Sequence, residues 1–507
     1  MSLASNILPD DPVQLKTLLI KERSVSEKLK QQIHVLLEAL RLEKHRLYGK
    51  SSEKSPDQAE LFDEADSLVD ELDIINDEQA PVALVSKSQR PVRKPLPAEL
   101  PRVRRVIELS EEERQCACGC TLIEIGEDIS EQVDIIPARV QVIQHVRKKY
   151  ACQRCDDNIK VAPRAKILLP KALASANTMA YIITSKYADG LPLYRLSGIV
   201  KRYGIELSRQ TLSESVLKVA EKISPLTDYL KQQLMDGPLI FMDETRVQVL
   251  NEPDKTPQSQ SYMWVQRGGP PNKAIIQFHY DPGRSADTAK GLLKGFEGTL
   301  MSDGYQPYRI VAKNQGLTHL CCWAHSRRKF IDAQKSQVKG KTGKADIAIN
   351  FIAKLYAVEK HTKDSNAAQR HHARQQTSAP VLQQFHAWLL KSQQQVPPKT
   401  ALGKAVNYTL GYWSELSRYI ENGSWPIDNN PAENAIRPFV IGRKNWLFSH
   451  SQRGAKASAS LYSLIETAKA NGKEPYHYLS GLFEALPDTN RENIEGLMPW
   501  NMPDEKG

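Results

Sequence analysis

Three acids stand out in a chain of 507 residues: Asp243 in "PLIFMDET", Asp303 in "TLMSDGY" and Glu433 in "DNNPAENAIRP". Each aspartate follows an apolar run that reads as a buried strand. A carboxylate at such a strand end rarely serves packing, because burying a charge without a partner is expensive. Glu433 falls at a helix start. Asn430 can act as the N-cap, Pro431 fits the first helical position, and the acid takes the capping-box place. Pro438 is expected to kink or stop that helix within about two turns. Glu433 therefore reads either as a helix-end residue or as a carboxylate held for chemistry. Oxygen donors from two aspartates and a glutamate suit Mg2+ or Mn2+ rather than zinc. Two such ions about 4 Å apart can activate a water or a 3′-hydroxyl and stabilise the leaving oxygen of a phosphodiester. The separations of 60 and then 130 residues require a helical insertion between the second and third acids.

The segment around Glu433, "AIRPFVIGRKNWLFSHSQRGAK", is basic and aromatic. Arg437 lies one helical turn beyond the acid, where it can reach a phosphate or pair with Glu433. Arg443, Lys444, Arg453 and Lys456 can contact phosphates, and Trp446 and Phe448 can stack on unpaired bases. The competing reading is a solvated cationic face with core aromatics. A second cluster, "CCWAHSRRKF", sets Cys322 and His325 three apart, followed by Arg327, Arg328 and Lys329. Cys-x-x-His is half a zinc site with no second half evident in the neighbouring sequence, so the pair is expected to be structural or substrate-orienting.

Five of the seven cysteines fall in two tight groups, Cys116, Cys118 and Cys120 in "CACGC" and Cys152 and Cys155 in "YACQRC". Two thiolate pairs separated by strands can meet in a zinc ribbon. Cys116 and Cys118 with Cys152 and Cys155 are the favoured ligands, Cys120 being a substitute. Four sulfurs leave no open position, which makes the metal a structural Zn2+.

The elements that must position these residues follow from patterning. Apolar residues from Leu15 to Leu47 recur at three-and-four spacing, giving a helix over 1–50 that reads either as a short coiled coil or as an amphipathic helix packed on its own chain. Residues 51–98 turn acidic and then Pro-rich and read as a linker. Residues 99–170 alternate as short strands and hold the cysteines. Residues 171–236 turn helical, with a Gly204 turn and a second helix capped by Ser208. This is either a helix-turn-helix, with Arg209 and Gln210 at the start of the recognition helix, or two packed helices without DNA contact. A sheet-plus-helix domain follows over 237–454, with a helical insertion at 331–420, and a helical hairpin over 455–507.

A chain this long exceeds one core and implies several domains. A net charge of +10 with 40% apolar and 25% charged residues fits a soluble protein with a polyanionic partner. The odd cysteine count argues against a disulfide framework. The start "MSLASNILPDDP" lacks the basic and apolar regions of a signal peptide, and no apolar run approaches bilayer length. A cytoplasmic location with no membrane partner is expected.

In this order, "MDET", "SDGY", "CCWAHSRRKF" and "IDNNPAENAIRPFVIGRKNWLFS" resemble the transposases of the insertion-sequence-66 family of bacterial mobile elements. The resemblance runs nearly the whole length, through "RLYGKSSEK", "GEDISEQVDIIPARVQVIQHVRKKYAC" and "SLIETAKANGKEPYHYL". It implies a multidomain α+β chain whose ribonuclease-H-like α/β catalytic domain carries the insertion. That domain is flanked by a coiled-coil helix, a small zinc-binding β domain and helical segments. It implies a DDE transposase that holds Mg2+ (or Mn2+) through Asp243, Asp303 and Glu433. Such an enzyme nicks transposon ends hydrolytically and joins the freed 3′-hydroxyls to target DNA. The implied partners are double-stranded DNA, at transposon ends and target, and small co-encoded accessory proteins. Joining two ends calls for at least two active sites, hence a homo-oligomer, nucleoid-associated when bound to DNA. The "CACGC" variant departs from an easily read C-x-x-C and leaves the first two zinc ligands open.

Two other readings compete. One is a catalytically inactive, zinc-containing DNA-binding protein derived from a transposase, against which the intact acidic set argues. The other is a glycoside hydrolase with paired carboxylates, opposed by the surplus of Arg and Lys near Glu433 and an aromatic content of 7%.

Overall fold

A computed structural model of the protein describes residues 11–48, 140–151, 159–170, 172–337 and 343–503. The chain divides into two compact units, Gln79–Val146 and the remainder. In the first, residues 140–146 are described and are exposed, without regular structure. The linker and all five cysteines of the expected zinc site, Cys116, Cys118, Cys120, Cys152 and Cys155, lie outside the described residues.

The remainder begins with α1 (Pro12–Tyr48). Its apolar stripe, including Val25, Leu29, Ile33, Leu36 and Leu40, is exposed. Near its end Arg41 donates to the Ser336 carbonyl at 3.3 Å, and Glu38 accepts the Ala401 amide at 3.1 Å. A small antiparallel ribbon follows, β1 (Lys149–Ala151) with β2 (Ile159–Val161).

Four helices come next: α2 (Ala176–Tyr187), α3 (Leu193–Arg202), α4 (Arg209–Lys222) and α5 (Ser224–Met235). Gly204 turns the chain between α3 and α4 at φ +83°, a conformation glycine adopts without steric cost. Ser208 then caps α4 by accepting the Thr211 amide at 3.1 Å. Leu212, Val216 and Val219, at helical spacing on α4, are buried. They join one hydrophobic cluster with Ile240, Phe278 and Leu464, so these helices share the core of the sheet.

The sheet starts with β3 (Leu239–Asn251), β4 (Gln260–Gly268) and β5 (Ile275–Asp281), an antiparallel meander. The chain continues through α6 (Ala286–Leu292), β6 (Thr299–Ser302), α7 (Gln306–Gln315), β7 (Thr318–Cys321) and α8 (Trp323–Lys335). The strand order is β5-β4-β3-β6-β7, with β6 parallel to β3 and β7 parallel to β6. β3 is one continuous strand of 13 residues. Asp243 therefore lies inside it, paired with Val265, not at a strand end as the sequence suggested. Ile240 and Met242 are buried on one face of the strand and Val247 and Val249 on the other, so apolar packing holds it on both sides of its polar stretch.

Between α8 and the last acid lies a helical stretch: α9 (Lys344–His361), α10 (Ala367–Ala373), α11 (Ala379–Gln395), α12 (Ala401–Gly411) and α13 (Trp413–Ser417). It has its own core around Trp323, Phe330, Phe385 and Leu389. A π-helical turn, Arg374–Ser378, joins α10 to α11. The buried Arg374 there pairs with Glu359 at 2.6 Å and donates to the carbonyls of Tyr419, Asn422 and Trp425 at 2.8–2.9 Å. A buried charge with this many acceptors is compensated rather than stranded.

The chain returns to the sheet with α14 (Asn430–Trp446), β8 (Ser449–Ser451), α15 (Gln452–Ala470) and α16 (Pro475–Ala485). β8 pairs with the far end of β3. α15 covers the β5 edge: Ser463 and Thr467 accept the amides of Phe278 and Ile276 at 2.7 and 3.0 Å. An edge so covered offers no template to another strand. The expected boundary at residue 454 falls inside α15. Among the described residues, no helix is long and apolar enough to cross a membrane.

Candidate active site

The register of the parallel pair builds the site. Leu239, Ile240 and Phe241 of β3 lie beside Thr299, Leu300 and Met301 of β6, a constant offset of 60 residues. Asp243 and Asp303 each lie two positions beyond the last of these pairs, and the charge of Asp303 acts on Asp243. Asp303 follows the last residue of β6, and its Oδ1 accepts the Tyr305 amide at 3.0 Å. Tyr408 closes over this turn so tightly that a Cβ at Gly304 would clash with its hydroxyl oxygen.

The third acid arrives from α14, whose start differs from the expectation. Asn430 is the first helical residue rather than the N-cap, and the preceding Asn429 makes no capping bond. Asp428 does the local work instead, accepting the Asn430 amide at 3.2 Å and its side-chain Nδ2 at 3.1 Å. Burial raises the Asp428 carboxyl to about 6. Asn429 is fully buried and its Nδ2 donates to the Met242 carbonyl at 2.9 Å, which fastens α14 to β3 one residue before Asp243. Arg267 on β4 adds a second tie to the Pro431 carbonyl at 3.0 Å. Pro438 does not stop the helix, which runs on to Trp446. Packing of Ala435, Ile436 and Phe439 into the core carries it through.

Burial pushes Asp243 well above the usual carboxylate range, and the like charges of Glu244, Glu433 and Asp303 push it further. Asp303 is raised to about 6, first by burial and then by Glu244. Asp243 thus feels the field of both other expected acids, as a carboxylate among like charges does. Their carboxylates do not close on a common point, however. Among the described residues, the three ligand atoms that lie within 4.8 Å of one another belong to Cys322, His325 and Glu433. Glu433 Oε1 is 3.4 Å from His325 Nδ1, and Oε2 is 3.6 Å from Arg328 Nη2. His325 is pushed down to about 3 by burial and by the charges of Arg328 and Lys329.

Glu244 was not anticipated. Its side chain is 1% exposed and paired with Arg284, whose Nε donates to Oε1 at 2.7 Å, while the Tyr308 hydroxyl donates to the other oxygen. Arg284 also sits over the Tyr305 ring, 3.8 Å from its centroid. The signal was present in "MDET", where two acids adjoin, but their partners lie 40 and 64 residues away.

The expected DNA-contact residues scatter. Arg209 and Gln210 are exposed at the start of α4, Gln210 bonding Glu214 at 2.9 Å. Arg327 is buried, and Arg328 and Arg437 are half-buried near the acid. Arg443 is held on β3, donating to Thr245 Oγ1 at 3.2 Å and to the Arg246 carbonyl. Lys444 is exposed. Trp446 is half-buried, its ring edge-on to Phe439 at 5.4 Å with Lys186 over it at 5.6 Å. Arg453 pairs with Glu221 at 2.6 Å, while Lys456 and Phe448 are exposed.

Four family descriptions match the chain. "Transposase IS66 family" covers residues 171–457, "zinc-finger binding domain of transposase IS66" 113–156, "IS66 C-terminal element" 463–500, and "Transposase C of IS166 homeodomain" 35–105. The zinc-finger match, which spans Cys116, Cys118, Cys152 and Cys155, supports Zn2+ binding in that segment. Three uncharacterized proteins of Sinorhizobium fredii are similar. Protein y4jD is 34% identical over 80% of this chain and 81% of its own, y4qI 33% over 83% and 79%, and y4hP 30% over 91% and 88%. No solved structure matches. With the first match spanning more than half its length, the chain belongs to the IS66 transposase family.

Proposed function

We propose that this protein is a DDE transposase that binds transposon ends, nicks them and joins the 3′-hydroxyls to target DNA by Mg2+-dependent transesterification. The observation that carries the reading is the parallel pairing of β3 with β6 at a 60-residue offset, which supports Asp243 and Asp303, each two positions beyond the last of these pairs, as the catalytic pair. The order β5-β4-β3-β6-β7, with an antiparallel meander on one side and parallel strands on the other, supports a ribonuclease-H-like catalytic domain.

The residues fit the metal. Asp243 is raised by burial and by the charges of Glu244, Glu433 and Asp303, and Asp303 by burial and by Glu244, a repulsion that a bound divalent cation relieves. Their oxygens, with those of Glu433, are the hard donors that Mg2+ or Mn2+ prefers. When bound, two such ions supply Lewis-acid stabilisation of the attacking and leaving oxygens.

The chain's own groups do the rest. Asn429 and Arg267 hold the first turn of α14 against β3 and β4, fixing where Glu433 starts from. His325 and Arg328 orient its carboxylate. Glu244, locked by Arg284 and Tyr308, adds negative field next to both aspartates and strengthens their call for a cation. Lys444, Arg437 and the exposed start of α4 with Arg209 and Gln210 are assigned to DNA, with phosphate contacts setting affinity. Cys116, Cys118, Cys152 and Cys155 are assigned to a structural zinc. The exposed stripe of α1 suits self-association into at least a dimer.

The test is purified protein with Mg2+ and DNA carrying the element's own terminal repeats, with accessory proteins added in a second arm. Nicked and joined products support the reading. Sequence-specific binding without either product in both arms favours the inactive DNA-binding alternative.

A further inference from the structure

Cys322, His325 and Glu433 make a cluster whose chemistry differs from that of the aspartates. Cys322 immediately precedes α8 and His325 is its third residue, so the helix start presents thiol and imidazole together. Glu433 comes from the first turn of α14, more than a hundred residues later. One ligand atom of each lies within 4.8 Å of the others, with Cys322 fully buried and Glu433 4% exposed. The Cys322 sulfur accepts the Asn429 amide at 3.2 Å and the His325 amide as well. These two amide donors lower the Cys322 thiol, while burial and the charges of Glu433 and Asp428 raise it well above its usual range. The carboxylate of Glu433 is divided: Oε1 faces His325, and Oε2 faces Arg328. One oxygen can therefore bind a cation while the other keeps its guanidinium.

We propose that Cys322, His325 and Glu433 form a binding site for one borderline-soft divalent cation, for which Zn2+ is the best match. Thiolate and imidazole are poor ligands for Mg2+ and good ones for zinc. Three protein donors leave a fourth tetrahedral position open, unlike a four-sulfur structural site. Zinc–ligand bonds of roughly 2.0–2.3 Å bring tetrahedral donors to about 3.5 Å apart, so side-chain adjustment of about 1 Å closes the present spacing. Binding displaces one proton, from the Cys322 thiol to solvent, and changes no oxidation state.

Glu433 is then a shared ligand. An ion held here draws the carboxylate away from Asp243 and Asp303, so Zn2+ opposes the Mg2+-dependent reaction. This consequence, unlike the binding itself, rests on the catalytic use of Glu433 proposed above.

The full-length protein, stripped of metal and reloaded with Zn2+, is compared by elemental analysis with Cys322→Ser and His325→Gln, each checked for folding by its thermal transition. Each variant should hold one zinc ion per chain fewer than the wild type, with the zinc-finger ion retained. Co2+ loading should give a thiolate-to-cobalt absorption band that is reduced in Cys322→Ser. If Cys322→Ser does not fold, His325→Gln carries the comparison. Equal zinc content in wild type and folded variant overturns the site. Loss of one ion, combined with strand cleavage indifferent to added Zn2+, upholds the site and refutes the catalytic use of Glu433.

Discussion

The side-chain amide of Asn429 donates to the Met242 carbonyl at 2.9 Å, tying the residue four before Glu433 to the residue one before Asp243. This buried hydrogen bond, with that of Arg267 to the Pro431 carbonyl, links the sheet and the helix that carry two of the three acids, which lie 190 residues apart in the chain. Asn429→Ala leaves the Met242 carbonyl without this donor in a buried setting and should cost about 1–3 kcal/mol. Strand cleavage should fall at least tenfold even where the fold is retained, because small misplacements of reacting groups are expensive. Denaturant unfolding and a cleavage assay on the same preparation check both effects, and unchanged cleavage would show that Glu433 is placed by other contacts.

Removing the guanidinium of Arg284 strands the carboxylate of Glu244, whose side chain is 1% exposed. Arg284→Met should destabilise the protein by about 3 kcal/mol, and adding Glu244→Gln should recover much of that loss, since the penalty is the buried unpaired charge. A double-mutant cycle by denaturant unfolding measures the coupling.

Asp303 carries a pH signature. Its folded-state carboxyl is raised to about 6 by burial and by Glu244. Between the ordinary aspartate value and that point the folded chain binds more protons than the unfolded one. Metal-free stability should therefore fall as pH rises from about 4 through 6, with the loss complete near neutrality. Asp303→Asn removes the penalty while its amide oxygen can still accept the Tyr305 N–H. It should stabilise the metal-free protein by about 2–3 kcal/mol at pH 7.5 and make the profile shallower, leaving the part owed to Asp428, itself raised to about 6. Mg2+ should raise the melting temperature of the wild type and not of the variant.

Lys444 is exposed beside Arg443, which is held on β3. Lys444→Ala should weaken binding about equally for specific and random DNA and lower the slope of log K against log salt by about 1. A salt titration by fluorescence anisotropy reads the slope, and an unchanged value removes Lys444 from the interface.

Local features were readable where the chemistry is local. Ser208 as a cap, the glycine turn before it and the buried face of Leu212, Val216 and Val219 depend on neighbours within a few residues. Asp243 was misjudged because an acid pair after an apolar run imitates a strand end. The strand continues because β4 pairs with it on through Gln248. The start of α14 was misread by one residue, since capping rules cannot know that Asn429 would turn its amide to Met242 and leave the local bonds to Asp428. Pro438 is tolerated inside α14 through packing that no local rule contains. The partners of Glu244, and the arrival of Glu433 beside Cys322 and His325, arise from contacts across 40 to more than a hundred residues.

The most direct measurement is strand transfer by Asp243→Asn and by Asp303→Asn, alongside the wild type, with Mg2+ and DNA bearing the element's terminal repeats. Both variants should bind the repeats with wild-type affinity and form no nicked or joined product, a loss of at least a thousandfold for groups that act as a unit. Joined product from either variant at near wild-type rate would contradict the assignment of these two aspartates as the catalytic pair.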